Sequence, residues 1–208
     1  MLVGINVVVF LAEMVTGGLN GPVVQLGIEY GPAIAHGEWW RIVTAAFLHG
    51  GLLHILLNMI ALVQVGAIVE LTFGAARMLV IYWVSLLVAG FSVLAFNYAI
   101  PTLGASGAIF GLFGGLVALG LRRGPAGQML VKQTVGIIVL NLVYGFAVAG
   151  ISNAAHLGGL VAGFLVGLPL VPAAPERRAY AIGSHETRAY PGPTIDQPAE
   201  PGEDGPHR

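Results

Sequence analysis

Two residues of this chain have the types and settings to do chemistry together. Ser106 stands in Gly104-Ala105-Ser106-Gly107, and His156 stands in Asn153-Ala154-Ala155-His156-Leu157-Gly158-Gly159, each at the head of a long apolar run. A serine hydroxyl is a weak nucleophile by itself. An imidazole within hydrogen-bond reach can take its proton during attack and hand that proton to the leaving group. Polar groups inside a bilayer are costly and are concentrated at functional sites. His54 and Asn58 are four residues apart and so share one helix face. Their side chains can donate hydrogen bonds to the oxyanion that such an attack creates. The backbone N–H of Ser106, at a helix N-terminus, adds a donor backed by the positive end of the helix dipole.

A third, orienting carboxylate is harder to find. The aspartates are Asp196 and Asp204, both near the C-terminus, and the carboxylates of the apolar region are Glu13, Glu29, Glu38 and Glu70. Glu70 falls at the far end of its helix from His54 and Asn58. The pattern therefore predicts a Ser–His dyad with the imidazole held by packing. Phe110, four residues after Ser106 and on the same side of the helix, is the candidate for that contact.

These groups need spanning helices to carry them. Of 208 residues, 56% are hydrophobic and 9% charged, with a mean hydropathy of +0.84. Soluble domains carry roughly 25% charged residues, so lipid is the solvent this surface suits. A net charge of -1 without a basic patch excludes a nucleic-acid partner. The chain has no cysteine, hence no disulfide framework and no thiolate metal site. No metal or other cofactor is expected. Neither a signal peptide nor an N-terminal cytosolic domain is expected from the N-terminal residues.

A span needs roughly 20 apolar residues. Six runs qualify as candidates: Met1 to about Val15, Leu52 to Phe73, Met78 to about Ala99, Ser106 to Leu121, about Gln128 to Val148, and Ala154 to about Val171. The first is short for a span. Between the first two lies a loop, Thr16 to Gly51, with Tyr30, Trp39, Trp40, Pro22 and Pro32. Its aromatics suit the membrane–water interface, and its length marks it as functional rather than a plain connector. Within it Arg41 and Glu38 are expected to brace the loop, and His49 to anchor it. Residues 172–208 are rich in proline and acidic residues and read as a disordered tail. Two domains follow: a membrane domain over 1–171 and the tail over 172–208.

Arg77, Arg122, Arg123, Lys132, Arg177 and Arg178 fall on one side of six spans, with Arg41 opposite. The positive-inside rule then makes both termini cytoplasmic and turns the loop, Ser106 and His156 outward. Depth supports a common site. From Ser106 to Leu121 is roughly 24 Å of helix, from His156 to Leu170 roughly 22 Å, and from Asn58 to Gly74 roughly 24 Å, against a hydrocarbon core of roughly 30 Å. All three groups fall several ångströms below the outer surface, where a cavity must admit water. Glycines recur every four residues at Gly159, Gly163 and Gly167, and at Gly107, Gly111 and Gly115. Such stripes let two helices approach closely.

Each polar residue alone is compatible with a packing role: serine back-bonds in helices, and histidine or asparagine can tie one helix to another. The ordered set is more specific. Trp40-Arg41, His49-x4-His54-x3-Asn58, Gly66-x3-Glu70-x3-Gly74, Gly104-x-Ser106-Gly107 and Ala155-His156-x2-Gly159-x3-Gly163 occur in that order. With six spans over about residues 1–171, the chain resembles the rhomboid intramembrane serine proteases. The resemblance implies an all-α polytopic bundle of six transmembrane helices with a long first extracytoplasmic loop. It implies Ser106 as nucleophile and His156 as base, and an oxyanion hole from His54, Asn58 and backbone N–H at Ala105 and Ser106. It implies hydrolysis of peptide bonds in or beside transmembrane segments of substrate proteins. Separately, the Ala/Gly/Pro-rich composition and the lack of an organelle-targeting segment favour a bacterial cytoplasmic membrane. Phe110 departs from the tyrosine of many bacterial members, which keeps a ring for stacking on His156 and loses a hydroxyl.

Other classes fit less well. An intramembrane metalloprotease needs His-Glu-x-x-His, which is absent. A transporter needs charge at mid-membrane or interrupted helices. A rhomboid-like protein that binds membrane clients without catalysis is the remaining alternative; such proteins typically lack the serine or the histidine, and both are here.

Overall fold

The computed structural model describes residues 1–147 and 150–173, and over these the chain is helical. A first helix, α1 (Leu2–Val15), is followed by three short ones, α2 (Pro22–Gly27), α3 (Gly31–Ala35) and α4 (Arg41–Thr44). Five long helices follow: α5 (Leu52–Phe73), α6 (Ala75–Phe96), α7 (Ser106–Arg122), α8 (Gln128–Ala147) and α9 (Asn153–Leu170). The helices Leu52–Phe73, Ala75–Phe96, Gly124–Ala147 and Asn153–Leu170 are long and apolar enough to cross a membrane; Leu2–Val15 and Ser106–Arg122 are shorter apolar helices. Each of the six apolar runs thus corresponds to one of these six helices, four of them long enough to span. The expected tail lies outside the described residues from 174 onward, as does Val148.

Boundaries moved where backbone geometry overrides hydropathy. Gly74 alone separates α5 from α6. Its φ of 85° is open to glycine at little cost, and its N–H caps Glu70 O at 2.8 Å. Because the turn is this tight, α6 starts at Ala75 and Arg77 lies inside its first turn rather than in a loop. At the other end Asn97 N–H closes on Val93 O at 2.7 Å, ending the helix before Ala99.

α7 is the centre of the bundle. It is buried along nearly its whole length, packs against both α6 and α9, which also pack on each other, and meets α5 and α8. Glycine explains how three helices fit so closely. A Cβ on Gly159 would overlap the carbonyl oxygen of Gly107, and one on Gly163 would overlap that of Gly111. α9 therefore rests directly on the backbone of α7, which small residues alone permit. The sides of Gly107 and Gly111 turned to α6 meet Ala89 and Ser85.

The loop between α1 and α5 is built around Arg41, which is buried. Its Nε donates to Glu38 Oε2 at 2.7 Å, and Nη1 donates to Gln25 O and Ile28 O, each at 2.8 Å. Trp40 Nε1 donates to Leu26 O at 3.0 Å, and Thr44 Oγ1 to Gly27 O at 2.7 Å. One guanidinium fork thus ties α2 to the start of α4, the geometry for which arginine is suited and lysine is not. Trp39 and Trp40 are exposed. Arg41→Ala is expected to lower stability by about 2–4 kcal/mol, because two carbonyls and a carboxylate lose a charged donor together. Denaturant titration in detergent micelles measures it, and Arg41→Lys should recover only part.

The loop is also stitched to the segment before α7. Glu29 and Thr102 exchange backbone hydrogen bonds at 3.0 and 2.9 Å, forming an isolated antiparallel bridge. Gly31 N–H donates to Tyr98 O at 2.9 Å, and Gly104 N–H to Ala45 O at 2.9 Å. The chain entering Ser106 is thereby fixed by the loop that the arginine organises.

Candidate active site

Ser106 is the first residue of α7, and Ala105 is its N-cap without a side-chain cap. The first helical bond at this end runs from Ile109 N–H to Ala105 O, at 3.1 Å. Among the described residues, the N–H groups of Ala105 and Ser106 have no hydrogen-bond acceptor. A helix start leaves such donors free by construction.

His156 sits one turn into α9. Ser152 caps that helix, its Oγ accepting from Ala155 N–H at 3.2 Å and donating to Asn97 Oδ1 at 3.2 Å. This pins the start of α9 to the end of α6. The same glycine face that seats α9 on α7 then presents His156 to Ser106, with His156 Nε2 and Ser106 Oγ 2.9 Å apart. The imidazole is 6% exposed and lies flat on Phe110, with centroids 4.1 Å apart and planes 4° from parallel. Its Nδ1 is buried and has no hydrogen-bond partner. Among the described residues no carboxylate meets the ring; the aromatic stack holds it.

His54 closes the other side. Gly50 N–H donates to His54 Nδ1 at 3.2 Å. With Nδ1 accepting, the ring proton is on Nε2, which is then a donor. A Cβ placed on Gly104 would lie 3.0 Å from His54 Nε2 and 3.9 Å from Ser106 Oγ. The imidazole donor and the hydroxyl therefore border one small space, left open because residue 104 has no side chain. Gly104 also has φ of 126°, a conformation L side chains rarely adopt. Asn58, a turn further along α5 and buried, donates from Nδ2 to His54 O at 2.9 Å. The second hydrogen of that amide is uncommitted.

His49 lies behind His54, ring edge to ring face, with centroids 5.2 Å apart. Its backbone N–H donates to Glu13 Oε1 and Oε2 at 3.1 and 3.3 Å, and its Nδ1 is 3.3 Å from Phe47 O. Burial, and then the neighbouring His54, hold its pKa down at about 4. It is a neutral packing and anchoring group.

Of the residues picked out from sequence, Ser106, His156, Phe110 and His54 are brought together, with Ala105 at the helix start, Asn58 one turn from His54 and His49 behind. The sequence reading did not assign Glu13 or Ser152. Glu13 is 1% exposed and ties α1 to the turn that leads into α5. A lone carboxylate in an apolar run is the signal that could have found it. Ser152, directly before an apolar run, is a readable N-cap.

The family model described as the Rhomboid domain matches residues 36–173. The chain is 36% identical over 196 residues to Rhomboid protease GluP of Bacillus subtilis (strain 168), covering 88% of this chain and 37% of that protein. RHOMBOID-like protein 4 of Arabidopsis thaliana is 34% identical over 152 residues, covering 70% of this chain and 37% of that protein. RHOMBOID-like protein 1 of the same plant is 37% identical over 133 residues, covering 62% and 34%. The chain thus spans little more than a third of the length of these relatives.

Proposed function

The chain belongs to the rhomboid family, and from that premise we propose that this integral membrane protein is an intramembrane serine protease. Its substrates are the transmembrane segments of other membrane proteins. The observation that carries the reading is the 2.9 Å approach of His156 Nε2 to Ser106 Oγ at the start of α7. A hydroxyl and a neutral imidazole at that distance are poised for proton transfer during attack.

The six long helices all cross the bilayer, with residues 1–171 forming one membrane domain. Both termini are cytoplasmic and the site opens to the outer side of a bacterial cytoplasmic membrane. A substrate helix approaches from lipid, unwinds locally and enters as an extended strand. Ser106 Oγ attacks the scissile carbonyl carbon while His156 Nε2 takes the hydroxyl proton. The oxyanion receives hydrogen bonds from His54 Nε2, from Asn58 Nδ2 and from the N–H groups of Ala105 and Ser106. His156 returns its proton to the leaving amine. Water then attacks the acyl-enzyme while His156 takes a proton from it, and His156 passes that proton to Ser106 Oγ as the acyl–oxygen bond breaks. Phe110 keeps the imidazole plane fixed through both transfers. The chain's own residues supply each step, and no metal or cofactor enters.

The test uses the full chain purified in detergent. A fluorescent fluorophosphonate should label it at Ser106, and a model single-span substrate should be cleaved. A well-folded protein that neither labels nor cleaves would overturn the protease reading in favour of a client-binding role. Asn58→Ala should lower the cleavage rate by about 10- to 1000-fold, the range for loss of one oxyanion donor, with thermal stability little changed.

A further inference from the structure

Glu29 has a setting that the dyad does not use. It belongs to the loop between α1 and α5, is 4% exposed, and its Oε1 makes no hydrogen bond. Both carboxyl oxygens lie 3.5 Å from where a Cβ on Gly90 of α6 would stand. The side chain faces a cavity of about 30 Å³, whose walls include Ile42, Leu86, Gly90, Gly104, Gly107 and Ala155. Two of those, Gly104 and Gly107, flank Ser106. The backbone of Glu29 is the partner of Thr102, which leads into Gly104.

Among the described residues no cation answers this carboxyl. Glu29 is the titratable member of the cavity lining; the loop, α6, α7, α9 and the 102–104 segment contribute only non-ionisable residues to it. Arg41, nearby in the chain, commits its Nη1 to Gln25 O and Ile28 O and its Nε to Glu38. Tyr98 packs its ring against Gly31 and Tyr30 is next in sequence, and neither lines the cavity.

We propose that Glu29 is a positioning residue for the Ser106 site: as a neutral carboxylic acid it packs between the loop and the segment 102–104, and its ionisation unseats that segment. The inference rests on the reading of Ser106 as nucleophile. A carboxylate confined here has neither donor nor cation, so it must draw in water or move its walls. The movable wall is the stretch 102–104, held by the paired backbone bonds between Glu29 and Thr102 and by one bond from Gly104 to Ala45. Shifting it displaces Gly104 and with it the space shared by His54 Nε2 and Ser106 Oγ. Burial raises the Glu29 pKa to about 8, so the group is neutral at pH 7. In an unfolded chain it ionises near its ordinary value of 4.5. The folded form therefore binds the extra proton between these values. Stability from this group is complete below about 4.5 and is lost as pH rises through about 8.

The experiment compares wild type with Glu29→Gln, which keeps size and neutrality, from about pH 5 to pH 9.5 in detergent. Two readouts are taken: the fluorophosphonate labelling rate and the thermal unfolding midpoint. Wild-type labelling should fall about tenfold per pH unit above pH 8, as one ionisation requires, and its midpoint should decline from pH 5 to 8. Glu29→Gln should keep labelling nearly flat above pH 8 and show a shallower midpoint decline than wild type. An alkaline limb and a midpoint profile in Glu29→Gln that match wild type would overturn the proposal. Wild type unlabelled at every pH would instead sink the nucleophile reading, and the midpoint comparison would then decide the role of Glu29 alone.

Discussion

Ser106→Ala and His156→Ala are each expected to remove fluorophosphonate labelling and substrate cleavage to below about one part in a thousand of wild type, with folding nearly intact. The two losses should be similar in size and should not add in the double mutant, because under the proposed mechanism Ser106 and His156 act as one unit. The reason lies in the geometry at the start of α7. The hydroxyl has the imidazole 2.9 Å away as proton acceptor, and that imidazole has no carboxylate behind it. His54, the other imidazole beside Ser106, carries its proton on Nε2 and so is not placed to accept one in place of His156. Folding should survive because neither side chain bridges much else. Ser106 is half-buried at a helix end, and α9 is seated by its glycines and capped by Ser152. Labelling and cleavage measured beside a thermal melt decide the matter. Undiminished cleavage by either single mutant would remove the dyad from consideration.

The second large effect is structural. Gly163→Val is expected to cost about 3 kcal/mol or more and to abolish activity as a consequence. A Cβ there would overlap the carbonyl oxygen, the carbonyl carbon and the Cα of Gly111, all backbone atoms that cannot rotate aside. Relief requires α9 to lift from α7, and His156 rides on that same helix. The Ser106–His156 distance is thus hostage to a contact two turns away. Gly136 supplies the control. Nothing lies within 4 Å of a Cβ built there, so Gly136→Ala should be neutral or slightly stabilising through helix propensity, by at most about 1 kcal/mol. Chemical denaturation in micelles measures both. A Gly163→Val protein as stable as wild type would show that the two helices are not in backbone contact.

Loop and site are mechanically linked in this fold. The Arg41 fork organises the loop, the loop pairs with Thr102 and Gly104, and those residues lead into Ser106. The Glu13 bond to His49 N–H extends the same logic to α1, holding the turn from which His54 emerges. Substitutions in the loop should therefore alter activity without touching a reacting atom.

Much of this could be read without a structure. Six apolar runs mark the six long helices, because a chain with 9% charged residues must hide its backbone polar groups within helices to sit in lipid. Residue type alone singled out a serine, two histidines and an asparagine, since such groups are costly in hydrocarbon. Their order along the chain marked the family. Glycine spacing announced that two helices would meet closely.

What periodicity could not fix was which atoms face each other. The Gly107–Gly111 stripe is rotated away from Ser106 on an ideal helix, and the 2.9 Å approach arises from how α9 crosses α7 and from the tie of Ser152 to Asn97. The tautomer of His54 depends on a backbone N–H from Gly50, a local turn that hydropathy does not encode. Glu13 and Glu29 show the limit most clearly. Both are single carboxylates in apolar surroundings, yet one accepts a backbone N–H pointed at it and the other meets only a small cavity. The sequence by itself determined that carboxylates would be few in the apolar region. Which partner each would find was decided by tertiary packing, because hydrogen bonds form over about 3 Å and only the assembled helices define distances that short.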